Sequence, residues 1–121
     1  MTKLIAMLIL AAASRGDLIQ RTPASAAGKT NPYADDRDAV LAGRKLFSHH
    51  CAACHGREAQ GNGKAPPLAQ PVVQNAAPGL LFHLITNGSL RRGMPSFAAL
   101  PEPQRWQIVT YLKGLKQADV R

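Results

Sequence analysis

At 121 residues the chain is sized for one small domain, and no internal repeat or low-complexity tract divides it. Its 15 Lys and Arg against 7 Asp and Glu give a formal charge of +8, a balance that invites anionic partners. Aromatic residues make up only 5% and no nucleic-acid-binding motif is recognisable, so nucleic acid is set aside and an acidic protein surface fits better.

Met1-Thr2-Lys3 is a short basic start, Leu4 to Ala13 is an unbroken apolar run, and small residues follow, which is the layout of a secretory signal. The run falls well short of the roughly 20 residues a membrane-spanning helix needs. Cleavage is expected after Ala13 or, in either of two registers, within Ala24-Ser25-Ala26-Ala27. The second site is preferred, which makes residues 1–27 the signal. A retained signal would instead tether the domain to a membrane. The basic excess stays with the rest of the chain, whose own core would be thin.

Residues 28–35 read as a flexible lead, since Gly28, Asn31 and Pro32 oppose regular structure. Asp35 or Asp36 can cap a helix in which Ala39-Val40-Leu41, Leu46-Phe47 and Ala52 make one apolar face, and the domain is taken to run over 36–121. Gly43 weakens that helix, and an isolated helix glycine often marks close packing of another helix against bare backbone. His49 and His50 suit its carbonyl end as solvated side chains.

The helix runs into Cys51-Ala52-Ala53-Cys54-His55, which holds both cysteines of the chain. Two thiols three positions apart, followed at once by an imidazole, form the attachment pattern of a c-type haem. Each sulfur can add to one vinyl group of the porphyrin, and His55 is then placed beneath the ring to bind the iron. A haem would also supply the apolar bulk that so short a chain lacks. A thioredoxin-type redox pair would want a strand before it, whereas the preceding segment here is helical and no strand-rich stretch exists. A zinc site would need a fourth ligand beyond Cys51, Cys54 and His55, and His49, His50 and His83 are the only other imidazoles.

Gly56, Gly61, Gly63, Pro66, Pro67 and Pro71 follow in quick succession and read as a loop that supports neither helix nor central strand. Pro78 suits the first turn of a second helix, whose apolar stripe Leu80, Leu81, Leu84 and Ile85 ends at the stop signal Asn87-Gly88. His83 sits in that helix as a satisfied side chain rather than a ligand. Arg91 to Ala99 is a second irregular stretch. Pro101 and Glu102 open the last helix, in which Ile108, Tyr111, Leu112 and Leu115 fall at helical spacing and Trp106 with Val109 widens the buried face.

Taken in this order, the helix, the Cys-Ala-Ala-Cys-His-Gly turn, the proline loop, the second helix, the Gly93-Met94-Pro95 loop and the closing helix resemble a small bacterial monohaem cytochrome c. The resemblance covers roughly Asp36 to Leu115. Pro66-Pro67-Leu68, Leu84 to Gly88, Gly93 to Phe97 and Leu100 to Leu112 look like the class I or cbb3-subunit-like domains that accompany quinoprotein dehydrogenases or feed terminal oxidases.

The resemblance implies an all-α cytochrome c fold, three to four helices and loops wrapped around one covalent haem c. It implies that the first and last helices cross near Gly43, Phe47, Trp106 and Tyr111, and that Met94 is the sixth iron ligand. It also implies that the second ring N–H of His55 goes to a carbonyl in Ala65-Pro66-Pro67-Leu68, for which Pro66 is taken. A thioether favours ferrous iron, so a His55/Met94 pair should raise the reduction potential relative to two imidazoles. Asn62, Asn87, Trp106 or an arginine could bond a propionate.

With both axial positions filled, the expected role is one-electron transfer rather than catalysis. The chain would act as a periplasmic monomer, shuttling electrons between a dehydrogenase or other donor and an oxidase or other acceptor. Arg57, Lys64, Arg91 and Arg92 are candidates for a basic rim that steers acidic redox partners. Two other classes stay open. One is a haem sensor in which Met94 leaves and the iron takes up NO, CO or peroxide. The other is a subunit fixed to a quinoprotein dehydrogenase that takes in its electrons, a link by analogy alone.

Overall fold

The computed structural model describes residues 17–63 and 65–115. The apolar signal run, Lys64 and the last residues from 116 lie outside the described residues. The α-helices follow in the order α1 (Asp17–Gln20), α2 (Arg37–His50), α3 (Ala52–His55), α4 (Pro71–Gln74), α5 (Pro78–Asn87) and α6 (Glu102–Lys113), with 3-10 turns at Ala24–Gly28 and Leu90–Arg92. Among the described residues the β pairing is one isolated bridge, Ser89 to Met94, so the fold is all-α.

Asp36 rather than Asp35 starts α2. Its Oδ1 accepts from the backbone N–H of Asp38 at 2.9 Å and of Ala39 at 3.2 Å, satisfying donors that the first turn leaves open. Asp35 instead takes a left-handed turn with φ 64°. The helix buries Ala39, Gly43 and Phe47 against α6. A Cβ at Gly43 would overlap the Gln107 carbonyl and come within 2.9 Å of the Tyr111 Cβ, so the two backbones meet at the bare glycine. One turn on, the Phe47 and Tyr111 rings lie 5.3 Å apart at 49°. This is the crossing of first and last helices that the resemblance implies.

Helix α5 packs on the other side of α6, where Phe82 and Trp106 stack at 4.0 Å and 17°. Such an aromatic pair adds about 0.5–1.5 kcal/mol beyond its buried area. Val73, Leu81, Ile85, Ile108, Val109 and Leu112 complete the core. Pro71, read as the last proline of the loop, instead begins the single turn α4. Pro71 opens it because a proline at the first helical position gives up no bond the helix would make. Lys113 of α6 fastens its end, with Nζ donating to the carbonyls of Gln74 and, at 2.6 Å, Ala76.

The segment 28–35, read as a flexible lead, is tied to α6 in the structure. Asn31 is only 7% exposed, its Nδ2 donates to Thr110 Oγ1 at 2.9 Å, and its Oδ1 accepts from the Tyr33 N–H at 2.9 Å. Gly28 ends the 3-10 turn rather than opposing regular structure, and the buried Asn31 amide ties the stretch after it to α6. No helix among the described residues is long and apolar enough to cross a membrane.

Candidate haem site

The first half of the site grows out of the end of α2. The Cys51 N–H donates to the Phe47 carbonyl at 2.8 Å, and the Cys51 carbonyl then accepts from Cys54 at 3.2 Å and His55 at 3.0 Å. Cys51, Cys54 and His55 thus occupy positions i, i+3 and i+4 of one turn, which puts both sulfurs and the imidazole on one face. Gly56 stops the turn at φ 90°, a conformation costly for any other residue.

Beyond it the loop folds back. The Gly61 N–H donates to the His55 carbonyl at 2.6 Å, and a Cβ at Gly61 would press on the Ala65 carbonyl at 2.9 Å. Gly61 therefore lets the 65–67 segment lie against the motif. That close approach brings the Pro66 carbonyl 3.2 Å from His55 Nδ1. A carbonyl can only accept, so the bond requires the proton on Nδ1 and leaves the Nε2 lone pair available to a metal. Ala59, fully buried, anchors the loop by accepting from the Leu68 N–H at 2.7 Å.

Electrostatics favour the same protonation state. Burial lowers the His55 pKa, and the bond to Pro66 opposes this only in part, so the ring stays neutral. Burial, with the neighbouring Cys54 adding to it, pushes the Cys51 thiol up to about 11. A protonated thiol is a poor attacking thiol in disulfide exchange. Among the described residues no three His, Cys, Asp or Glu side chains gather where one ion could be held.

The second half is the loop that carries Met94. Gly88 ends α5 at φ 64°, and a Cβ there would press on the Met94 carbonyl at 2.6 Å. Ser89 and Met94 exchange two backbone bonds of 2.8 and 2.9 Å around the turn Leu90–Arg92, which Gly93 closes at φ 81°. Downstream, the Phe97 N–H donates to the Ile85 carbonyl at 3.0 Å and the Ser96 hydroxyl to the Thr86 carbonyl at 2.6 Å. Arg105 of α6 completes the support, donating through Nη1 to Thr86 Oγ1 at 2.7 Å and through Nε to the Leu100 carbonyl at 3.1 Å. Met94, half-buried, is thus held from both sides by α5.

These residues fit a haem. Cys51, Leu68 and Val72 from the first half and Phe97 and Leu100 from the second pack against the core yet stay half-exposed, leaving apolar surface for a large apolar group to cover. The donor set, one imidazole nitrogen and one thioether sulfur, suits iron in a porphyrin.

Other singled-out residues have local employment. Asn62 Nδ2 donates to the Ala53 carbonyl at 2.9 Å and Asn87 Nδ2 to the His83 carbonyl at 2.9 Å, while Trp106 is buried against Phe82. His49 and His50 are exposed at the end of α2, with the His50 ring 6.0 Å from Phe97. His83 is half-buried on α5. Arg57, Arg91 and Arg92 are exposed, and Lys64 lies outside the described residues. The supporting roles of Thr86 and Arg105 have no sequence signal, because they join residues nineteen positions apart.

A family model described as cytochrome C oxidase, cbb3-type, subunit III matches residues 38–112, which is the span from α2 through α6. The chain belongs to this family of c-type cytochromes. It is 33% identical over 90 residues to cytochrome c550 of Pseudomonas aeruginosa, a match that takes in 69% of this chain and 61% of that protein. It is 34% identical over 87 residues to the quinohemoprotein alcohol dehydrogenase ADH-IIG of Pseudomonas putida, across 69% of this chain but 12% of the enzyme. The crystal structure of cytochrome cL from the marine methylotroph Methylophaga aminisulfidivorans superposes with a TM-score of 0.61 at 28% identity, over 70% of this chain and 58% of that one. The chain therefore spans about six-tenths of the length of cytochrome c550 and a small part of the dehydrogenase. The chain is a small c-type cytochrome domain, and haem is the cofactor its family carries.

Proposed function

We propose that this cytochrome is a periplasmic one-electron carrier, with one haem c bound covalently through Cys51 and Cys54 and with His55 Nε2 and Met94 Sδ as the axial iron ligands. The observation that carries the reading is the contact of His55 Nδ1 with the Pro66 carbonyl, 3.2 Å. It orients the ring and sets the tautomer that a metal-ligating imidazole needs. The bound haem would supply a one-electron couple between ferric and ferrous iron.

The chain's own residues would do the rest. His55, donating to Pro66, becomes the stronger nitrogen donor. Met94 supplies a soft donor that holds the ferrous state and raises the potential. The backbone bonds around Ser89 and Met94 and those from Thr86 to Ser96 and Arg105 hold the second loop in one geometry, so little has to move when the charge changes. His55 and Met94 together would hold the iron and leave no place on it for a substrate.

The visible spectrum, oxidised and reduced, of the chain matured with cytochrome c assembly machinery tests this directly. Haem that survives denaturation, a low-spin reduced spectrum and the red charge-transfer band of iron–methionine ligation in the oxidised form are expected. Covalent haem without that band would remove Met94 from the iron, and absence of haem would overturn the site altogether.

Arg57, Arg91 and Arg92, with Lys64, form the proposed rim for acidic redox partners, either an oxidase or a dehydrogenase. Arg91→Glu together with Arg92→Glu should slow electron transfer to the physiological partner at low salt by roughly tenfold or more and flatten its salt dependence. Stopped-flow rates across ionic strength report both effects, and unaltered rates would remove these arginines from the contact surface.

The similarity to one part of a quinohemoprotein dehydrogenase favours a second reading, a subunit held permanently by such an enzyme. A fixed subunit would co-purify at high salt, whereas a shuttle would fall away.

A further inference from the structure

The stretch that reads as the end of a signal is built into the folded domain. Ile19 of α1 packs against the core, and Ala26 in the 3-10 turn is 9% exposed. Both short elements lie against α5. The segment is knitted by its own bonds, Thr22 Oγ1 to the Leu18 carbonyl at 2.8 Å and the Lys29 N–H to the Ala26 carbonyl at 3.2 Å. Lys29 Nζ sits 5.2 Å above the Phe82 ring, on the pair that joins α5 to α6.

The fit is reciprocal at Gly79. A Cβ on this residue would overlap the Ala26 carbonyl oxygen and approach the Lys29 carbonyl at 3.1 Å. Glycine weakens a helix, and φ at this position is ordinary, so the turn of α5 itself gives no reason for it. The reason is the backbone of residues 26–29 lying across it.

We propose that residues 17–30 form a permanent strap of the exported cytochrome, and that signal cleavage falls upstream of Asp17 rather than within Ala24–Ala27. This rests on the export reading above. A cut after Ala26 or Ala27 would sever the 3-10 turn and remove the group that Gly79 accommodates. Ala11-Ala12-Ala13 offers small residues at both recognition positions without touching the strap. The retained strap also places Arg21 in the lining of the same cavity as Arg91 and Arg92 of the Met94 loop, adding an arginine to the basic side.

The intact mass of the haem-loaded protein, purified from the periplasmic and membrane fractions of cells expressing the full chain, decides the matter. A chain beginning at Ser14, or one retaining Met1 in the membrane fraction, upholds the strap. A chain beginning at Ala27 or Gly28 overturns it while leaving export intact. An unprocessed haem-free chain confined to the cytoplasm would overturn export, and thermal melting of Gly79→Ala would still decide the strap. With the strap in place the added methyl collides with backbone and the melting temperature falls. An unchanged or higher melting temperature, as expected for alanine on a bare helix, would overturn the strap.

Discussion

Met94→Ala is expected to keep the proposed haem attached to Cys51 and Cys54 while the midpoint potential falls by roughly a tenth of a volt or more, within the roughly 0.8 V that axial ligands command. The thioether is a soft donor that stabilises ferrous iron, and the water or hydroxide that takes its place favours ferric iron. The loop itself should survive. Met94 is pinned through its backbone N–H and carbonyl to Ser89, and alanine keeps both groups. The change therefore reads the ligand and not the fold. An equilibrium redox titration gives the potential, and ferrous CO binding reports the newly opened position. Met94→His separates the two effects, since an imidazole would keep the iron closed to CO yet still lower the potential. An unchanged potential with no CO binding in Met94→Ala would falsify ligation by this residue.

Gly43→Ala is expected to lower the melting temperature by about 10 °C, even though alanine is the better helix former. Two terms compete. Replacing a helix glycine with alanine contributes about 1 kcal/mol in favour of the helix. Against it, the new methyl would overlap the Gln107 carbonyl, a backbone atom in the middle of α6 that cannot rotate aside. Overpacking of this kind costs about 1–3 kcal/mol where side chains can adjust, and more where only a helix shift relieves it. The net loss is then about 2 kcal/mol, and each kcal/mol moves the midpoint of a domain this size by about 4–8 °C. Gly114→Ala is the control. Its Cβ would meet nothing nearer than the Tyr111 carbonyl at 3.6 Å, and its φ of −89° suits any residue, so its melting temperature should hold or rise. Equal effects at the two glycines would sink the close-crossing argument.

Much of the site was legible because it is local. The Cys51-to-His55 turn needs only helical spacing to gather its three donors, and the Asn87-Gly88 stop and the Gly93-Met94-Pro95 loop carry their own turn chemistry. The proline loop was harder to read. Ala65-Pro66-Pro67-Leu68 offers two adjacent proline carbonyls, and nothing in their order says which one faces His55. Gly61 lying against Ala65 and Pro67 settles it in the fold, because the approach of the two backbones sets the orientation of that turn. Pro71 was read as one more loop residue, since a proline ends helices and begins them, and only its neighbours in space show which.

By itself the sequence determined the helical class, the three long helices and the turn that gathers Cys51, Cys54 and His55, all of which depend on residues within a few positions of one another. The tertiary structure alone decided the bonds between distant parts. It joined Asn31 to Thr110, braced the Met94 loop through Thr86 and Arg105, and laid Ala26 across Gly79. Small polar residues and glycines carry no periodic signal, and a buried amide or a missing Cβ takes its meaning only from the atom that the packed helices bring against it.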